Sequence, residues 1–300
     1  MDAPRSSTGT AGFVFGDDWC SRSLADQQHV AAVAITLHSF REALASGSWY
    51  LKGSAALTAW IGPASRLPND VDLVLPAEVG RRLLASGALP LGPRGESLRL
   101  VRYERVVFSS AEAPTVYRVL VDIRGPERLP AVLLGLLLVP EPGARNDERI
   151  TLVDFPGPTG AVTVPSVTEY RFLVQKLMRY TRQRSNGRIN SHWWDLSDML
   201  LAVSHPAFSA LRLGRLHQNV ITEMAEHNMA PPTTLPRPPA EWLDFWDSAT
   251  FSQRLPFGRL SEAANLLECF WEPVLRHLGK ESAEPVDALW APDAWEWVVT

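Results

Sequence analysis

Hydrophobic and polar positions divide the chain into two textures. From Ser23, "SLADQQHVAAVAITLHSFREALASG" repeats apolar residues at helical spacing and stops at Gly47, which predicts a long helix with a glycine terminator. "WYL" then reads as a strand, and Ser54 to Trp60 as a short helix with Ser54 at or beside its N-cap. "DVDLVL" (70–75) reads as a strand and "AEVGRRLLASG" as a helix closed by Gly87. Strand composition follows over 97–109, 115–123 and 149–155. Between them "AVLLGLLLV" fits either a strand or a helix, because a short apolar run hides its period. After about residue 165 the pattern turns helical, over 167–183, 193–203, 207–228 and 261–278, broken by the Pro-rich "APPTTLPRPPAEW". Residues 1–22 lack periodicity and read as a mobile arm. The expectation is that arm, an α/β domain over 23–165 and an α-helical domain over 166–300.

Composition narrows the class. Apolar residues make up 46% of the 300 positions and charged residues 21%, which is a globular balance. A net charge of −4 argues against a general polyanion binder and leaves room for a local basic patch. Cys20 and Cys269 stand far apart without metal-ligand spacing and read as reduced core thiols. The longest apolar run, "PAVLLGLLLVP", is too short to span a bilayer, and no charged-then-apolar signal opens the chain. A cytoplasmic protein without membrane contact is expected. Arginines number 26 and lysines three: Lys52, Lys176 and Lys280. Each lysine is either chance or a place where a compact ammonium is wanted in preference to a planar fork.

The chemistry concentrates in "YLKGSAALTAWIGPASRLPNDVDLVL" (50–75). Residues i and i+2 of a strand share a face, so Asp70 and Asp72 point the same way and repel unless a cation or water joins them. An exposed polar edge strand would also tolerate them, but Val71, Leu73, Val74 and Leu75 indicate burial on at least one face. Upstream, Gly53-Ser54 sits where a strand turns into a helix, whose first amides are free to meet a phosphate. A phosphate site beside an acidic pair is the layout that holds a metal-bound nucleoside triphosphate.

That layout resembles the nucleotidyltransferase superfamily, with its Gly-Ser turn followed by an Asp-x-Asp strand. It is most similar to the AbiEii/AbiGii toxin branch, which includes the MenT toxins of mycobacteria. "LKGSAAL" and "RLPNDVDL" match that branch's "LKGG-x-AL … R-x-[ST]-x-D-h-D-h", with Pro68 in place of the hydroxyl residue. The resemblance covers about residues 48–200. It implies an α/β nucleotidyltransferase core with a short mixed sheet, and a nucleotide site of Lys52, Gly53, Ser54, Arg66, Lys176 and Arg182. Asp70 and Asp72 are the metal ligands, with Asp122 at the end of "YRVLVDI" as third carboxylate and Asp154 as the competing choice. Two Mg²⁺ ions and an NTP co-substrate are implied.

The branch also carries a lysine-bearing helix followed by a "D-h-h-D-L" helix, here "EYRFLVQKLMRYTRQRSNGRINSHWWDLSDML". Lys176, Arg182 and Asp195 match; His192 replaces the first acid, and Asp198 competes with Asp195 one turn away. Residues 171–194 hold six cations and no acid, a local reversal of sign. They are either a solvated helix face or a track in which Arg179, Arg184 and Arg188 meet RNA phosphates. There is no HExxH, GxSxG or Walker A sequence. The late tryptophans have spacings that suit packing. The function implied by resemblance is transfer of NMP, a pyrimidine, from NTP to the 3′ end of tRNA by a toxin with a cognate antitoxin. Transfer to a small hydroxylated molecule such as an aminoglycoside, or a non-catalytic binding fold, remain as rivals.

Overall fold

A computed structural model describes residues 19, 21–44, 48–106, 115–140, 150–182, 193–253, 256–276 and 287–300. Arg184, Arg188, His192, Cys20 and the expected N-terminal arm up to Asp18 lie outside the described residues, as does the expected helix stop at Gly47. Ser23 opens helix α1 (Leu24–Ala43) by accepting from the Asp26 amide, and the middle of that helix is buried from Val30 to Leu37. β1 (Tyr50–Lys52), α2 (Gly53–Ile61), β2 (Val71–Pro76) and α3 (Ala77–Ser86) follow in the predicted order. Gly87 ends α3 at φ 65°, a left-handed position that suits glycine.

The sheet is larger than the short one expected. β3 (Ala88–Leu89), β4 (Ser97–Val106), β5 (Thr115–Arg124), β6 (Val132–Val139), β7 (Ile150–Phe155) and β8 (Val162–Val167) join the first two strands. Together they form an eight-stranded mixed sheet of order β3-β4-β5-β6-β2-β1-β8-β7. The ambiguous "AVLLGLLLV" is β6, pairing parallel with β2 and antiparallel with β5. β2 is thus central, which is why Val71, Leu73, Val74 and Leu75 are all buried. Residue 165 falls inside β8, so the sheet runs past the expected boundary and the helices begin with α4 (Glu169–Thr181), capped by Thr168.

α5 (Trp193–Val203), α6 (Leu213–Glu226), α7 (Leu243–Gln253) and α8 (Leu260–Arg276) build the second half. It is not wholly helical: β9 (Ala288–Ala291) and β10 (Glu296–Val299) form an antiparallel hairpin. The hairpin covers the helices with tryptophan. The indole N–H of Trp290 donates to the Val203 carbonyl (2.6 Å), and that of Trp297 to Phe270 (2.9 Å). Cys269 is an exposed free thiol on α8, not the core thiol expected. One continuous hydrophobic core runs through both halves, from Val30 to Trp290.

Candidate active site

Asp72 lies in a slot made by two glycines. A β-carbon added to Gly135, its register partner on β6, would stand 2.3 Å from Asp72 Oδ1; one added to Gly53 would stand 2.7 Å from Oδ2. No side chain fits at either place. Gly53 also has φ 72°. It starts α2 directly, with Lys52 as an N-cap that supplies no side-chain hydrogen bond, so the carboxylate sits beside the helix's uncapped first turn. Lys52 is the cross-strand partner of Asp72, and Ser54 is buried in the first turn.

Asp70 precedes the strand, which begins at Val71. The segment leading to it is tied down from three sides. Arg22 Nη2 donates to the Pro63 and Ser65 carbonyls, the latter at 2.6 Å. The His29 ring meets the carbonyl of the buried Pro68 at 2.7 Å. Arg66 makes a two-pronged ion pair with Asp198 on α5, at 2.6 and 2.9 Å, with its guanidinium 4.9 Å from the Trp194 ring. Burial pushes the Asp70 carboxyl above the usual carboxylate range, and Asp72 pushes it further; Arg66, Arg179 and Lys176 pull it back only in part.

The second-half residues converge here. Lys176 on α4, nearly buried, places its ammonium 2.6 Å from Asp198 Oδ2 and 3.2 Å from Asp195 Oδ1, while Arg179 Nε lies 3.3 Å from Asp195 Oδ2. Both aspartates are fully buried. Burial opposes ionisation of Asp198, but Arg66 and Lys176 outweigh it and hold the carboxyl below its ordinary range. The choice between Asp195 and Asp198 dissolves, since one lysine grips both. Arg182 is exposed at the end of α4.

Asp122 is not brought to the pair. Register carries Asp72 across Gly135 to Arg118, and Asp122 lies four residues further along β5, ion-paired with Arg124 at 2.8 Å. Asp154 sits on β7 at the sheet's far edge, accepting from Thr163 Oγ1 at 2.5 Å. Among the described residues no cluster of three or more acids, histidines or cysteines is placed to hold a metal. Asp70 and Asp72 still fit a divalent ion that takes its other ligands from triphosphate oxygens and water. Their mutual repulsion in a half-buried slot is what such an ion relieves.

Comparison with known proteins decides the class. A family model described as nucleotidyl transferase AbiEii toxin, type IV TA system, matches residues 37–245, more than half the chain. The chain belongs to the AbiEii family. Membership makes it a nucleotidyltransferase toxin of a type IV toxin–antitoxin system and implies a cognate antitoxin. Eight chains of solved structure match it. JHP933 from Helicobacter pylori is 13% identical at TM-score 0.47, covering 85% of this chain and 95% of that one. A protein described as a candidate nucleotidyltransferase from H. pylori is 15% identical at TM-score 0.47, covering 84% and 98%. No curated protein matches. Among the described residues of this AbiEii chain, no helix is long and apolar enough to cross a membrane.

Several participants in the AbiEii site escaped the sequence reading. Gly135 had a signal, a lone glycine inside an apolar strand run, which marks a close approach. Trp194, Arg22 and His29 had none, because their partners are distant in sequence.

Proposed function

We propose that this toxin transfers a nucleotidyl group, a pyrimidine one, from an NTP to the 3′ hydroxyl of tRNA and so blocks translation. The observation that carries the reading is the Asp70–Asp72 pair slotted between Gly53 and Gly135, beside an uncapped helix start and within the field of three cations. Asp70 and Asp72 would hold Mg²⁺, which would supply a lowered pKa to the attacking hydroxyl and charge neutralisation to the departing pyrophosphate. Lys52 and the amides of the first α2 turn receive the triphosphate tail. Arg66 and Lys176 act mainly by position: shared with Asp195 and Asp198, they hold the loop before Asp70 in place and set the potential around it. Arg179, half exposed and ion-paired with Asp195, adds positive potential for an incoming phosphate.

Incubation of the protein with each labelled NTP, Mg²⁺ and total RNA tests this. Label on tRNA-sized RNA from CTP or UTP is the expected result. Label appearing only on a small acceptor overturns the RNA substrate, and no transfer to any acceptor overturns the enzyme reading.

A further inference from the structure

The sheet face that carries Asp72 continues beyond it, and its side chains change in a regular way. Residues in register share a face, so the row through Asp72 runs Gly135, Arg118, Glu104. The neighbouring row, reached by continuing the register to Asp70, runs Leu133, Leu120, Arg102. Next to it, Asp122 faces Arg99, with Arg124 one step on along the same face. The opposite face of β5 is core: Val119, Val121 and Ile123 are buried. This face is open. Leu133 is 37% exposed and Arg99, Arg102, Arg118 and Arg124 are all exposed. Arg124 is taken by Asp122 at 2.8 Å, and Arg102 touches Glu104 only at 3.9 Å. Arg99 and Arg118 have no ion pair among the described residues.

Direction follows from the chemistry. The uncapped start of α2 and Lys52 lie on the β1 side of Asp72, where the triphosphate tail and its leaving group belong. In-line displacement brings the attacking oxygen from the side opposite the leaving group. That side is Gly135 and the open face beyond it. Arg118 lies two strands from Asp72, or roughly 10 Å at the usual strand spacing, about the reach of one or two nucleotides.

We infer that the open face of β6, β5 and β4 is the acceptor platform. The terminal base of the RNA rests on Leu133 and Leu120, while phosphates upstream of the reactive hydroxyl meet Arg118, Arg102 and Arg99. This rests on the transferase reading above and adds to it a track on the sheet, separate from the cationic end of α4. Four arginines against two acids give the face a positive excess in a chain of net charge −4, which is the complement of a polyanion.

The test is RNA binding by the full chain with Arg99, Arg102 and Arg118 changed to alanine, compared with a control carrying Arg41→Ala and Arg276→Ala on distant surfaces. Deacylated tRNA is the probe, titrated over a range of salt, and NTP binding and thermal melting are read on the same proteins. The triple variant should bind tRNA about tenfold or more weakly, with the salt slope reduced by about one for each arginine removed. NTP affinity and melting should match the control. Leu133→Asp should raise the KM for RNA and leave NTP affinity unchanged. RNA affinity and salt slope equal to the control, while the wild type still transfers nucleotide to RNA, overturn the platform and leave the transferase reading intact. A wild type that binds NTP but no RNA overturns both.

Discussion

At the scale of single residues, the site depends on what is missing from Gly53 and Gly135. A methyl group at either position stands within 2.3–2.7 Å of an Asp72 carboxylate oxygen, so the carboxylate must shift. Gly135→Ala should therefore cost transfer more than folding, by about 100-fold for an ångström of displacement at the reacting centre. Steady-state kinetics beside a melting curve checks this, and a variant with wild-type kinetics would show that Asp72 is not positioned by the slot. Asp70 makes a prediction of opposite sign. Its folded pKa is raised, so the ionised form costs stability, and that cost disappears as pH falls through the raised value. Asp70→Asn should abolish transfer yet melt at or above the wild-type temperature at neutral pH in metal-free buffer; a clearly lower melting point would contradict the raised pKa.

At the scale of elements, one carboxylate clasps three pieces of chain. Asp198 on α5 binds Arg66 from the loop before β2 and Lys176 from α4. Removing it leaves the buried Arg66 without its carboxylate and Lys176 with Asp195 alone, so Asp198→Ala should destabilise by about 3–5 kcal/mol. Chemical denaturation measures it, and a loss under about 1 kcal/mol would mean that water enters and screens the pair. Because the Asp198 carboxyl is lowered, its contribution is complete above the ordinary aspartate value of about 3.9 and is lost as pH falls through the lowered one. Thermal melts of wild type and Asp198→Asn should accordingly converge at acid pH. The clasp also marks the limit of legibility. Lys176, Asp195 and Asp198 are legible as motif residues, whereas Arg66, which the motif places at the nucleotide, is ion-paired with Asp198. A motif records which residues recur; it does not record which of two anions, a phosphate or a carboxylate, a guanidinium faces. Asp122 went astray for a related reason: its strand was read correctly, but register decides the neighbour of Asp72, and register is a long-range property.

At the scale of the whole molecule, the alternation of strand and helix from α1 to α3 was readable because those elements show their own periods, whereas β6 was ambiguous and β3 and β8 went unread. The count of strands and their order were not readable, since β8 closes against β1 across most of the domain. The hairpin β9–β10 was invisible as well: its tryptophans read as helix packing, and they do pack, but from strands. That hairpin sets a whole-chain prediction. Trp290 caps the last carbonyl of α5, the helix that carries Asp195 and Asp198, and packs on Phe270 at 4.8 Å. Trp290→Ala should cost about 3–5 kcal/mol and impair transfer at temperatures well below the melting point. Activity lost only together with global unfolding would deny the hairpin a bracing role.

The same clasp has a meaning in time. Arg66 and Asp198 are 132 residues apart, so a ribosome releases the acidic pair and its helix start long before Lys176, Arg179 and Asp198 exist. Until α4 and α5 emerge, the loop before Asp70 is held by Arg22 and His29 but lacks its anchor on Asp198. The acidic pair gains its full surroundings only once the chain has been made through α5, about two thirds of its length.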